Sequence, residues 1–305
     1  MTPRPAVLVM TLVLSAACSS NQTDVDPSPV MQPPPSMVEV SFRSGDARLN
    51  GFFYLAAGRP PHPLVVFLHG YPGYEKNLDL AQAVRRAGYH VLFADYRGVW
   101  GSGGVFSFKN SLEDTKAILR FVREPAIAAK YGIDARRIAL VGHSLGGWLA
   151  LMSAGDEPPT VCVAALAAWN VGSAALRFPG HANEMAAELT EFRQSTDPAG
   201  GPVRAHAEDL LAEMLANASR WDYLQRAPAL GDRALLLVAA SRDSVVEDIA
   251  MHEQLAKLAR SAGNHHVSLV RYDDDHPFSA HRLALARLLA GWLRDECAAT
   301  QSGHF

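Results

Sequence analysis

The sequence predicts an α/β fold: a mostly parallel sheet covered by helices on both faces, with a helical insertion serving as a cap. Three observations carry this. Short, continuous apolar runs such as 64–68, 161–166 and 234–238 have the length and composition of strands buried on both faces. Between them lie stretches with apolar residues at helical spacing, so strand and helix alternate. One segment, residues 170–230, breaks the alternation: it holds two helical stretches and no strand. The chain has 305 residues, 49% hydrophobic and 19% charged, enough core for one large domain with a short appendage. The formal charge of −3 and the lack of any Lys/Arg-rich block argue against a nucleic-acid partner.

Residues 1–17 read as a secretory signal. Arg4 supplies the positive start, and the apolar stretch 6–17 is too short to cross a bilayer. It ends Leu14-Ser15-Ala16-Ala17-Cys18, which resembles a bacterial lipobox, although Ser15 stands where a large aliphatic is usual. The resemblance implies acylation of Cys18 and a membrane anchor, and Ser19 after it implies the outer membrane; an ordinary signal cut near Ala17 is the alternative, with a periplasmic or secreted product. Residues 18–37 carry five prolines among polar residues and read as a stiff spacer. Cys162 and Cys297 remain. They are expected as two separate thiols, with a disulfide the alternative that export permits.

The domain is expected over 38–295, with 296–305 as a tail. Residues 38–43 and 49–56 alternate as two antiparallel strands about a Ser44-Gly45-Asp46 turn. Strands follow at 64–68, 90–94, 137–141, 161–166, 234–238 and 267–271. Helices are expected at 76–87 (Leu80, Ala83, Val84 and Ala87 on one face), 111–123 (Leu112, Thr115, Leu119, Val122), 147–152, 246–262 and 279–293. In the insertion, helices are expected at 182–193 and 203–218, separated by Asp197-Pro198-Ala199-Gly200-Gly201-Pro202. An insertion after the strand at 161–166 lies over the carboxyl ends of the strands, where it can shape a pocket; two helices packed on the side of the sheet are the alternative. Trp148, Trp169, Asn170 and Trp221 are pocket candidates, each more readily read as core.

The run Gly142-His143-Ser144-Leu145-Gly146 sits between a strand and a helix. A serine on so sharp a turn is pushed out of the backbone, and Cβ atoms two residues either side would collide; glycine removes them. Its hydroxyl needs a base, and the base an orienting acid. On such an elbow the acid and then the histidine follow in chain order. Asp243 falls just past the strand at 234–238, and His276 just past that at 267–271, both at carboxyl ends and so on the edge that carries Ser144. Rivals are His281, Asp248 and Asp275; the Asp273–Asp275 run with His276 could also hold a metal, but nothing else sits at ligand spacing, so no metal and no cofactor is expected. Two oxyanion donors are expected: the N–H of Leu145, after the nucleophile, and that of Tyr71 in His69-Gly70-Tyr71-Pro72-Gly73, whose ring would line the pocket.

Gly-His-Ser-Leu-Gly-Gly at 142–147, His-Gly-Tyr-Pro-Gly at 69–73 and Asp-Tyr-Arg-Gly at 95–98 together resemble the alpha/beta-hydrolase superfamily. With Gly101-Ser102-Gly103-Gly104 they are loosely similar to its prolyl-oligopeptidase and dienelactone-hydrolase-like branch. The resemblance implies Ser144 as nucleophile, His276 as base and Asp243 as acid, with Tyr71 and Leu145 stabilising the oxyanion. It implies a serine hydrolase acting on a small acyl substrate. No element for binding a peptide terminus is visible, and the chain has no room for the propeller of prolyl oligopeptidases, so carboxyl esters are favoured. A peptidase, or a non-catalytic binding protein on the same fold, is the alternative.

Overall fold

In a computed structural model, the structure describes residues 26 and 30–302, apart from 159–160, 197–200 and 247. The expected signal segment, Cys18 and most of the expected break in the insertion therefore lie outside the described residues. Ser36–Ser44 (β1) and Ala47–Leu55 (β2) form an antiparallel hairpin. His62–Leu68 (β3), Leu78–Arg86 (α1) and His90–Ala94 (β4) begin the alternation. Phe108–Arg123 (α2) and the short Pro125–Tyr131 (α3) lead into the long strand Ile133–His143 (β5). Leu145–Ala154 (α4) and Cys162–Leu166 (β6) follow. The insertion comprises Val171–Arg177 (α5), Ala182–Ser195 (α6) and Ala207–Trp221 (α7), with a 3-10 segment at Tyr223–Leu230. Leu235–Ala240 (β7), Asp248–Ser261 (α8), Val267–Tyr272 (β8), Arg282–Trp292 (α9) and Ala298–Ser302 (α10) complete the order.

The eight strands make one sheet in the order β1-β2-β4-β3-β5-β6-β7-β8. Only β2 runs against the rest: it is antiparallel to both β1 and β4, and β4, β3, β5, β6, β7 and β8 are mutually parallel. Period-2 alternation sends successive side chains of each parallel strand to two different cores. In β3, Leu64, Val66 and Leu68 enter the core shared with α2, α4 and α8, while Val65 and Phe67 enter the core shared with α1 and α9. Both faces being dry explains why these strands read as unbroken apolar runs. The chain leaves β3 toward β4 on one side and returns to β5 on the other, so the strand order reverses between β3 and β5. The carboxyl ends at such a reversal leave a crevice between diverging loops.

The insertion lies over the loop that follows β4. Arg204 N–H donates to Gly98 O at 2.7 Å, Phe106 N–H to Arg204 O at 2.8 Å, and Trp100 N–H to Pro202 O at 3.2 Å. Apolar side chains complete the seam: Phe192 of α6 is fully buried against Tyr71 and Phe108, with ring centroids 5.5 and 6.0 Å apart.

Three expectations are corrected. Cys162 and Cys297 are bonded as a disulfide, not separate thiols; 135 residues of sequence hid that the start of β6 and the C-terminal helices are neighbours. The segment read as a tail continues the helical C-terminus, as residues 293–297 and then α10, and Gln301 Nε2 donates to Ile138 O at 3.1 Å. The end of the expected spacer is also held, since Gly58 N–H donates to Pro33 O at 3.0 Å. Closing so long a loop restricts the unfolded chain by about 5 kcal/mol in the chain-entropy treatment. Cys297→Ser is expected to lower the unfolding free energy in urea by about 2–5 kcal/mol; equal stability of oxidised and reduced wild-type protein would contradict this.

Candidate active site

Ser144 links β5 to α4 with φ 55° and ψ −120°, a left-handed conformation that L side chains avoid. The crowding that the sequence implied is real. A Cβ at Gly142 would sit 2.0 Å from Gly146 O, and one at Gly146 would sit 1.9 Å from Leu68 O. The turn is held from both sides: Ser144 N–H donates to Leu166 O at 2.9 Å, and Ser144 O accepts from Trp169 N–H at 3.1 Å. Backbone strain of this kind persists only where the surroundings over-determine it.

Because β5, β7 and β8 are parallel, residues just past their carboxyl ends share one edge. Asp243 follows β7 and His276 follows β8. His276 Nδ1–H donates to Asp243 Oδ2 at 2.6 Å, and the carboxylate side chain is 1% exposed. The other oxygen, Oδ1, accepts from Val245 and Val246 N–H at 2.7 and 3.0 Å. Burial alone would raise the Asp243 pKa; the His276 hydrogen bond and charge, with the two backbone N–H groups, outweigh it and the net shift is downward. Asp243 is thus an anion that fixes the His276 tautomer with Nδ1 protonated and Nε2 free to accept.

His276 is anchored a second time, through its main chain. His143, beside Ser144 at the end of β5, donates from Nε2 to His276 O at 2.9 Å, and the two rings lie 4.6 Å apart. Ser144 and His276 therefore belong to one cluster. Ser144 Oγ makes no hydrogen bond to His276 among the described residues; such bonds commonly tighten only around a substrate.

The loop after β3 lies against the nucleophile. A Cβ at Gly70 would fall 3.1 Å from Ser144 Cβ, so the residue before Tyr71 packs closely on the serine. Leu145 opens α4, and the first N–H groups of a helix have no intrahelical acceptor. The Tyr71 ring points elsewhere: its hydroxyl bonds Ser195 Oγ at 2.5 Å and so ties this loop to the end of α6. Burial raises the phenol pKa further above its ordinary value. His69 is buried with its Nδ1 2.7 Å from Gly70 O, and burial drives its pKa down to about 3.

A cleft of about 490 Å³ opens between the insertion and the Asp243 loop, lined by Trp169, Asn170, Phe178, Glu188 and Glu191 with Asp243 itself. Of the pocket candidates, Trp169 and Asn170 are therefore here. Trp148 and Trp221 are core: both are buried, and Trp148 Nε1–H donates to Trp221 O at 2.8 Å. The rivals are placed apart. His281 caps α9 and bonds Asp274 at 2.8 Å, and Asp275 binds Ser279; the side chain of Asp248 lies outside the described residues.

Glu188 is half-buried in this cleft. Burial, then the neighbouring charge of Glu191, raises its pKa to about 8. Below the ordinary glutamate value the folded and unfolded chains are both protonated there. As pH rises toward 8 the unfolded chain loses its proton first, so this group's contribution to stability falls. Urea midpoints compared at about pH 5 and about pH 8 should drop less for Glu188→Gln than for wild type; identical drops would show that Glu188 titrates normally.

Comparison with known proteins bears directly on this geometry. The model of the alpha/beta hydrolase family matches residues 65–300. The chain belongs to the alpha/beta hydrolase family. Among curated relatives of this alpha/beta hydrolase is the acylamino-acid-releasing enzyme of Rattus norvegicus, 31% identical over 157 residues, which cover 47% of the chain and 21% of that enzyme. Another is an uncharacterized protein of Salmonella typhimurium, 29% identical over 46% of the chain and 49% of its own length. The alignments thus span about half or less of these relatives. Two solved structures share the fold. The esterase Pf2001 of Pyrococcus furiosus superposes with TM-score 0.64 at 17% identity, covering 90% of this chain and 98% of its own. Est1E of Butyrivibrio proteoclasticus, solved with ferulic acid, gives 0.63 at 16%, covering 85% and 99%. This alpha/beta hydrolase therefore shares its fold with two solved esterases.

Proposed function

We propose that the chain is a serine hydrolase that cleaves acyl bonds, carboxyl esters by preference, through Ser144, His276 and Asp243. The observation that carries the reading is the His276–Asp243 hydrogen bond of 2.6 Å, formed on the sheet edge where Ser144 is held in a strained turn. In this mechanism Ser144 Oγ attacks the acyl carbonyl while His276 Nε2 takes its proton. Asp243 holds the imidazole in that tautomer and stabilises the imidazolium. Negative charge building on the carbonyl oxygen is met by the N–H groups of Leu145 and Tyr71 and by the positive end of α4. His276 then protonates the leaving alcohol. Water, activated by the same imidazole, releases the acid from the acyl-enzyme and restores Ser144.

Turnover of p-nitrophenyl acetate, with a fluorophosphonate probe mapped to Ser144 by peptide mass, is the expected result. No phosphonate reaction at Ser144 would return the fold to a binding role. The similarity to an acylamino-acid-releasing enzyme favours a peptidase as the second reading; cleavage of aminoacyl-naphthylamides with negligible ester turnover would select it.

We further propose that the protein works in the cell envelope, anchored through an acylated Cys18. The Cys162–Cys297 disulfide supports export, since such bonds persist in oxidising compartments. Partition of the processed protein into a detergent phase, lost in Cys18→Ser, is the expected outcome.

A further inference from the structure

His143 occupies the variable position between Gly142 and the serine, and the catalytic reading leaves it without a role. We propose that His143 is a positioning residue for the base: its Nε2–H holds the main chain of His276, so that the imidazole of His276 is aimed from behind as well as from Asp243. The inference rests on the serine-hydrolase reading of the same site.

Four observations converge. The bond runs from His143 Nε2 to the carbonyl oxygen of His276 at 2.9 Å, and a carbonyl only accepts, so the proton is on Nε2. The other nitrogen, Nδ1, is buried with no partner among the described residues. Leaving a buried acceptor unmet is costly, so the ring's presence is set by what Nε2 does. His143 is 4% exposed, and its ring centroid lies 4.6 Å from that of His276 and 6.4 Å from that of Phe278. Burial, then the neighbouring His276, lowers the His143 pKa to about 3, so it donates in the neutral form while the base cycles its proton.

The geometry explains why a second anchor is useful. Asp243 grips only Nδ1 of the His276 side chain, a single bond about which the imidazole can still pivot. Fixing the carbonyl oxygen of the same residue removes that freedom. The anchor comes from the residue next to Ser144, so nucleophile and base move as one unit. Misplacement of a reacting group by about 1 Å costs on the order of 10²-fold in rate.

The test compares His143→Leu, which fills the space without a donor, with His143→Gln, whose amide reaches about as far as Nε2, both in the full chain on p-nitrophenyl acetate. Expected for His143→Leu is a fall in kcat of about 10²-fold with KM unchanged; His143→Gln should recover most of the loss. Wild-type kcat in His143→Leu, or equal damage in both variants, overturns the positioning role. Ser144→Ala is run beside them: turnover surviving there overturns the serine reading and this inference with it, whereas its loss leaves that reading standing whatever His143 does. Should His143→Leu not fold, ¹⁵N-histidine NMR of the wild type decides. A neutral His143 protonated on Nε2 from about pH 5 to 8 is expected; protonation on Nδ1, or a charged ring, overturns the assignment.

Discussion

Ser144→Ala is expected to remove ester turnover almost entirely, by about 10⁶-fold in kcat, with the fold and thermal midpoint retained. The side chain lost is small and its hydroxyl has no bond to His276 to forfeit, so stability and catalysis separate cleanly. His276→Gln should match it, because nucleophile and base act as one unit and their losses do not add. Asp243→Asn keeps the space but reverses the logic of the 2.6 Å bond: its amide offers a donor where Nδ1–H needs an acceptor. The wrong tautomer then faces Ser144, and a loss of about 10⁴-fold is expected. The measurement is kcat on p-nitrophenyl acetate for the three variants, with His281→Gln as control. A near-normal rate in Asp243→Asn, or damage concentrated in His281→Gln, would reassign the acid or the base.

The second large effect concerns the backbone. Gly146→Ala places a methyl 1.9 Å from Leu68 O and 2.8 Å from His69 O, both main-chain atoms that cannot rotate aside. Relief requires β3 to separate from the elbow, and overpacking of this kind costs about 1–3 kcal/mol or more. The same displacement carries the Gly70–Tyr71 loop off the serine, so kcat should fall by about 10²-fold even in the fraction that folds. Gly180→Ala, with nothing within 4 Å of the new methyl, is the matched control. Urea denaturation and kcat of the two variants check the expectation; equal behaviour would mean that the elbow has slack.

Much of this site was legible because it is local or periodic. Strands buried on both faces announce themselves as apolar runs, and the elbow needs its glycines within five residues. Asp243 and His276 were found from their places just past strand ends, since parallel strands put those ends on one edge. What escaped depends on distance in space. Nothing in the spacing of Cys162 and Cys297 reveals that β6 and the C-terminal helices touch. The helix Val171–Arg177 is seven residues long, too short to show a periodic face. His281 fell inside the last expected helix whereas His276 followed a strand end; what the sequence did not show is that each bonds a different carboxylate, Asp274 and Asp243. His143 stood inside the recognised motif; its contact to His276 spans 133 residues and leaves no trace in the pattern.

The covalent tie between β6 and the C-terminus also governs how the protein should be prepared. A gene expressed in a reducing cytosol yields a chain whose last helices are held by packing and hydrogen bonds alone; the same gene directed to an oxidising compartment yields one in which they are also stapled to the central sheet. These are two chemical species of one sequence. Thiol titration of each batch should therefore precede any comparison of specific activity or melting temperature between laboratories.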